Sequence, residues 1–455
     1  MCLSAESLFL DDGLTSRFNL GVEAYRNKDA CKEFVRFIAG VIRQDILAKV
    51  KSSPAFAIAV DESNDIGNIE EMVIYVWYVR EGRPATRFLG LVPLETADSS
   101  SIAQAIVDKV RAWDLSPETF FAFGSDGCSV MTGADNGVAI RLRIGDLCMN
   151  PCMLSFHCMA HKLQLSAKGA GKDIPFFSTF ESTLHSLASY FNRSAKRGHR
   201  FASIQKALGF EGTTVVLSDV VTRWLSKGDS VESIYKLLPA LEEEFRLQAS
   251  GCAVASVLHK EVTSFTFLAT LAFHKDFFSK LNILSVSLQK DTVDYDYAMG
   301  LVESTKRGLQ TLYIAPATPG GVTLKALLKM NSEKSDSFLF KHPQGEYRVQ
   351  YVDADYTVVV QHIKLFAEAL FAEFEDRFPP RDIIAAFGIF TPTNFPTDDN
   401  LVSDYGDGEL ELLMNHFSKA PESFNTEVTL EQWEALKSDI SNRIAGAQEA
   451  QAAAD

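Results

Sequence analysis

Two aspartates stand where apolar runs end. In "FAIAVDESND" Asp61 follows Val60, and in "FFAFGSDG" Asp126 follows Ser125. Carboxylates at the ends of strands in one sheet can converge at one edge of it. Two that come close repel each other unless a cation sits between them. Mg²⁺ takes hard oxygen ligands, often one or two protein carboxylates with substrate phosphates completing its shell. Two such ions can clamp the attacking and leaving oxygens of a phosphoryl transfer. Asp61 and Asp126 are therefore candidate catalytic residues and candidate ligands for Mg²⁺ or Mn²⁺. Gly127 is expected to let the backbone turn away, and Ser125 to orient the carboxylate by a hydrogen bond. Aspartate after a strand is also common turn chemistry, so each has a structural reading when taken alone.

Three further stretches carry chemistry. "HCMAHKLQL" places Cys158 and His161 one helical turn apart, with Cys152 and His157 nearby. A closed zinc site needs four ligands in paired short spacings, and only a CxxH half is present; the alternative is a helix cap with buried packing. "YFNRSAKRGHRFASIQK" is the one concentrated basic stretch, with Arg193, Lys196, Arg197 and Arg200 at helical spacing. It reads as a phosphate-tracking face or as a solvated helix face. Arg223 and Trp224 adjoin each other, an arrangement that can stack on a displaced base or plug a domain junction.

Patterning predicts the elements that position these groups. Residues 29–50 show helical apolar spacing through Phe34, Phe37, Ile38, Val41, Ile42 and Ile46, with Asp29 as the N-cap. Strand-like runs follow at 55–60, 71–79 and 86–94, with Glu81-Gly82 punctuating the last two. A serine-capped helix (99–115), a strand (119–127), and a short strand turning into a helix (151–168) come next. This order predicts an α/β layer with a mixed sheet. From about 229 long helical segments dominate, and Phe267, Leu271, Phe278, Leu281 and Leu288 predict one apolar stripe. Residues 314–350 read as loop and the alanine-rich end as frayed.

The chain has 455 residues and a net charge of −15, which argues against a surface built for tight non-specific nucleic-acid binding but leaves room for local basic patches. Seven scattered cysteines do not suggest a disulfide framework. No apolar run approaches a membrane span, and the start lacks a secretory signal. A soluble protein of a reducing compartment is expected.

Taken in order, "VDESND", "SDGCSVMTG", "HCMAHKLQL", "TRWLSKGDS", "FHKDFFSKLNILSVSLQKDTVDY" and "FGIFTPTNFP" resemble the hAT superfamily of DNA transposases, nearest its host-gene-like, zinc-finger-associated branch. The resemblance covers about residues 30–435. It implies an RNase H-like core interrupted by an all-α insertion, and strand cleavage and transfer by three acids with Mg²⁺ or Mn²⁺. Asp61 and Asp126 match the first two acids, Cys158 and His161 the CxxH motif, and Trp224 the tryptophan near the DNA end. It also implies a nuclear protein with DNA, and other nuclear proteins, as partners. The expected layout is a tail (1–28), the core (29–228), the helical insertion (229–377), a return segment (378–440) and a disordered tail (441–455). No stretch matches the third acid, a glutamate in a dimerisation segment, nor the N-terminal zinc finger. Glu409 and Glu411 follow the insertion without a supporting motif. The expectation is a transposase-derived protein with impaired catalysis; the alternative is a co-opted nuclear interaction protein.

Overall fold

The computed structural model describes residues 28–64, 70–210, 224–290, 295–317, 319–330, 335–419 and 425–454. The side chains of residues 63–64, 224–227 and 447–454 are outside that description. Two compact units emerge: Met1–His157 with Phe417–Phe424, and Cys158–His416 with Asn425–Asp455. The division falls at His157, whereas composition suggests 228, because the helices after His157 bury their apolar faces in the second unit's core.

The first unit opens with helix α1 (Lys28–Lys51). Strands β1 (Phe56–Asn64), β2 (Glu70–Arg80) and β3 (Arg83–Pro93) follow as an antiparallel meander. Helix α2 (Ser99–Ala112) leads to β4 (Phe120–Ser125), short helices α3 (Ser129–Thr132) and α4 (Val138–Arg143), and β5 (Leu154–His157). The sheet order is β3-β2-β1-β4-β5, with β4 parallel to both β1 and β5. This is the mixed α/β sheet of an RNase H-like core, as expected.

Period-2 alternation decides which face of the sheet is buried. Met72, Ile74, Val76 and Tyr78 of β2 join Ile58 and Val60 of β1 in the core. Ile102, Ile106 and Val110, one helical turn apart on α2, cover them; each such burial contributes about 1.5–3 kcal/mol. The cap of α2 is Asp98 and not a serine: its carboxylate accepts from the Ser100 and Ser101 amides at 2.9 and 3.0 Å. A bond from Thr96, followed by those from Ser101, holds this carboxyl well below the usual range. Helix α1 departs from expectation in two ways. Asp29 lies in its first turn, one residue past the helix start. Phe34, Phe37, Ile38, Val41 and Ile42 are exposed, and burial is confined to Ala30, Ile46 and Val50.

The second unit is mostly helical. It runs α5 (Met159–Lys172), α6 (Pro175–Asn192), α7 (Ala195–Ala207), α8 (Trp224–Gln248), α9 (Ala253–Val262), α10 (Phe265–Leu288), α11 (Tyr295–Tyr313) and α12 (Val322–Met330). A hairpin of β6 (Ser337–His342) and β7 (Gly345–Gln350) precedes α13 (Asp353–Arg377), α14 (Asp382–Ala385), α15 (Asp407–Phe417) and α16 (Thr426–Ala454). Helix α10 is central: α5, α8, α9, α11, α12 and α13 all pack against it. Its burial therefore goes around the helix, through Phe265, Leu268, Leu271, Phe273 and Phe277, and exceeds the single stripe predicted.

Two loop expectations are corrected. Residues 314–350 contain α12 and the β6–β7 hairpin, whose Phe338, Phe340, Tyr347 and Val349 alternate inward. The alanine-rich end continues α16 to Ala454, consistent with alanine being the best helix former. The return segment lies largely in the second unit, but Phe417 belongs to the first and meets Phe121 of β4 edge to face at 5.8 Å. Among the described residues no helix is long and apolar enough to cross a membrane.

Candidate functional site

Asp61 sits on β1 and Asp126 is the first residue past β4, two neighbouring strands of the first unit. Asp61 lies within β1, opposite Val73 of β2. The parallel pairing of β1 with β4 runs to Ala59 opposite Gly124; two residues further on each strand stand Asp61 and Asp126. Glu62 points to the other side of β1 and is partly buried, whereas Asp61 is exposed. The Glu62 carboxyl is raised above its ordinary value, first by burial and then by the charges of Glu70, Asp126 and Asp61. Its Oε1 is buried with no hydrogen-bond partner among the described residues. The charges of three other carboxylates thus reach Glu62 at this end of the sheet.

That shift has a testable sign. Folded Glu62 keeps its proton to higher pH than the unfolded chain does, so folding loses stability as pH rises from the ordinary carboxylate range through the raised value. Glu62→Gln removes the ionisation. In a chelator, the variant and the wild type are expected to melt alike in acid, with the variant melting higher at neutral pH. Parallel melting curves across that range would contradict the reading.

The loop after β4 works differently from the expectation. Ser125 Oγ donates to the Asp126 backbone carbonyl at 2.9 Å, and so does not orient the carboxylate. The carboxylate instead accepts from the Cys128 amide at 3.2 Å. The Cys128 thiol is raised by burial and then by its own bond to Asp126. Gly127 has no left-handed backbone. Its need for glycine is steric: a Cβ there would overlap the imidazole of His157. His157 ends β5 in register with Ser125. Buried Asn150 shapes the approach to that strand, donating to the Glu118 carbonyl at 3.0 Å and accepting from the Cys152 amide at 2.9 Å. Glu62 and His157 are the neighbours that sequence reasoning did not assign to this site; the adjacent "DE" of β1 and the strand-ending "FH" of β5 were their signals.

The donor set here is carboxylate oxygen, which fits one hard divalent cation held by one or two side chains. The charges of Glu70, Asp126 and Asp61, which add to burial in raising Glu62, are the electrostatic condition such an ion relieves. Among the described residues, no group of three His, Cys, Asp or Glu side chains is arranged to hold a metal.

Of the remaining candidates, most of those described lie in the second unit. Cys158 is exposed at the N-cap of α5, and His161 is partly buried one turn on. Cys152 belongs to the first unit, where burial raises its thiol. Of the basic stretch, Arg193 and Lys196 are exposed. Arg197 turns inward, donating to the Tyr190 carbonyl at 3.1 Å and lying 4.2 Å over the Tyr190 ring. Arg200 grips Glu244, with Nε 2.8 Å from Oε2. Trp224 begins α8, and Arg223 lies outside the described residues. Glu409 and Glu411 are exposed on α15 in the second unit.

Comparison with known proteins bears on the first unit. Residues 20–137, which include β1 to β4 and both aspartates, match the DUF4371 family described as "ZMYM1/FAM200, RNase-like domain". The chain is also 21% identical over 267 residues to the bovine (Bos taurus) general transcription factor II-I repeat domain-containing protein 2. That likeness covers 58% of this chain and 27% of the relative, so the chain spans about a quarter of the relative's length. Both likenesses are partial: β1 to β4 of the first unit fall within the stretch that matches an RNase-like domain.

Proposed function

We propose that the chain is a transposase-derived, RNase H-like protein of hAT descent whose first unit keeps a divalent-cation site at Asp61 and Asp126 and whose strand cleavage is impaired. One observation carries this reading: Asp61 of β1 and Asp126, the first residue past β4, each lie two positions beyond the last β1–β4 pair, Ala59 with Gly124, on adjacent parallel strands of a β3-β2-β1-β4-β5 sheet. The match to an RNase-like family over the same residues supports it. Asp61 and Asp126 would hold Mg²⁺ or Mn²⁺, which when bound supplies positive charge for the oxygens of a phosphodiester. Gly127 and His157 keep the loop that carries Asp126 in place. Glu62, facing the other side of the strand, adds negative charge without sharing Asp61's direction. Impairment follows from the donor count: two aspartates suit one ion better than the pair that clamps both oxygens in a strand transfer.

Mg²⁺ is expected to stabilise the wild type saturably, by about 1.4 kcal/mol at ten times its Kd, and to leave Asp126→Asn unchanged. Cleavage of hairpin-ended DNA is expected at background in both. Absence of any cation-dependent thermal shift would remove the site. Robust Mg²⁺- or Mn²⁺-dependent cleavage abolished by Asp126→Ala would remove the impairment.

A second reading is a co-opted nuclear interaction protein without catalysis. It draws on the Asp126 carboxylate's service as a turn acceptor and on the exposed apolar side chains of α1. The name of the bovine relative, a transcription-factor repeat protein, is compatible with a nuclear setting for this chain. Partners kept by Asp61→Asn/Asp126→Asn and lost on Phe37→Asp would favour it.

A further inference from the structure

The helix that follows β5 carries a lysine that the function proposed above does not use. Lys162 of α5 is half-buried. Its Nζ lies 5.7 Å from the centre of the Phe378 ring, and Phe378 is buried at the C-cap of α13. Two arginines flank that ring in the chain, Arg377 just before it and Arg381 three residues on. All four residues belong to the second unit. There α5 packs along α13, closely enough for the Glu373 carboxylate to fill the space of a Cβ at Gly169.

Charge at this corner is unbalanced. Arg377 Nε donates to Glu373 Oε2 at 2.7 Å, so that carboxylate is engaged. Glu375 meets Lys306, and Asp376 and Asp382 are exposed. Among the described residues no carboxylate pairs with the Lys162 ammonium; an aromatic ring and two cations surround it instead. Burial, and then the charges of Arg381 and Arg377, push it below the ordinary lysine range. A half-buried cation beside like charges costs stability until an anion compensates it.

The backbone around the cluster is fixed. The Arg381 amide donates to the Tyr295 hydroxyl at 3.1 Å. The Arg381 carbonyl accepts from the Ile384 and Ala385 amides at 2.8 and 2.9 Å. Tyr295 accepts in its bond, which leaves its own O–H as a donor beside Arg381. Exposed Pro379 and Pro380 keep this corner open to solvent. One ammonium and two guanidinium forks match the three acceptor oxygens and near-double charge of a phosphate group. A carboxylate, with two oxygens and one charge, would satisfy fewer of these donors.

We infer that Lys162, Arg377 and Arg381 form a binding site for a phosphate group. It belongs to the other unit from Asp61 and Asp126 and to the opposite sign of charge, and does not depend on the function proposed above.

The test uses the full chain with inorganic pyrophosphate, in EDTA and at an ionic strength held constant with chloride. Pyrophosphate is expected to raise the melting temperature saturably, by about 3 °C at ten times its Kd. Lys162→Met keeps an apolar stem against Phe378. It is expected to lose most of that rise, and to melt slightly above the wild type when pyrophosphate is absent. Arg381→Met should weaken pyrophosphate roughly tenfold. Lys162→Arg should keep most of the response, and Lys168→Met, exposed on the same helix, all of it. No saturable rise in the wild type, or the same rise in Lys162→Met as in Lys168→Met, overturns the inference. Anisotropy of a dye-labelled oligothymidylate identifies the source of the phosphate. Binding that pyrophosphate displaces and Lys162→Met weakens supports the site and assigns it to a phosphodiester strand. No such binding beside an intact pyrophosphate response supports it as a site for a free phosphate compound.

Discussion

Arg200→Ala is expected to destabilise the second unit by about 3–5 kcal/mol, the usual consequence of stripping one partner from a buried ion pair. Glu244 is fully buried. Its carboxylate accepts from Arg200 Nε at 2.8 Å and from the Tyr190 hydroxyl at 3.0 Å, and Arg200 Nη2 forms a further bond to it. Burial and then the negative charge of Glu244 push the Tyr190 hydroxyl up to about 12, so it stays a neutral donor at physiological pH. Removing Arg200 leaves an uncompensated carboxylate whose remaining described donor is that hydroxyl. Calorimetry should show a fall in the melting transition on the order of 10 °C for a unit of this size. Arg200→Ala/Glu244→Gln should recover part of the loss, because the buried charge is then gone. Lys196→Ala, at an exposed position of the same helix, should stay within roughly 0.5 kcal/mol of wild type. If Arg200→Ala behaved like Lys196→Ala, the ion pair would have no structural role, and Arg200 would return to the candidates for phosphate contact.

Gly127→Ala is the second large effect, expected at about 1–3 kcal/mol through overpacking. The added methyl would occupy the space of the His157 imidazole. One of two things must give: the loop carrying Asp126 or the ring at the end of β5. His157→Ala in the same chain should relieve the clash, so the double variant should be more stable than the sum of the singles predicts, by about 0.5–3 kcal/mol of coupling. Additive losses would mean the glycine answers to something other than the ring. The Mg²⁺-dependent shift should also weaken in Gly127→Ala and return in the double variant, since the loop's position sets that of Asp126.

Some of this architecture is legible in local pattern. The alternation of Met72, Ile74, Val76 and Tyr78, and the turn spacing of Ile102, Ile106 and Val110, announce a strand and a helix with one buried face each. The loop misread over 314–350 arises because Gly and Pro near its start mask a short helix and a short hairpin.

By itself, the sequence determined most element types, the α/β class with a mixed sheet, and the placing of Asp126 just past a strand; Asp61, expected at a strand end, lies inside β1 (Phe56–Asn64). Those properties depend on periodicities of two and 3.6 residues, which any window of the chain carries. Tertiary structure alone decided which partners those residues meet. It set Asp61 and Asp126 each two residues beyond the last β1–β4 pair, Ala59 with Gly124. It buried Glu62 beside Glu70 and Asp126, which together raise it, turned Arg197 and Arg200 toward Tyr190 and Glu244, and assigned Gly127 to the His157 ring. It also left Trp77, Tyr75 and Phe88 in solvent on the side of the sheet where a buried layer would be as compatible with their pattern. Contacts across tens of residues are fixed by register and packing, and no local window contains them.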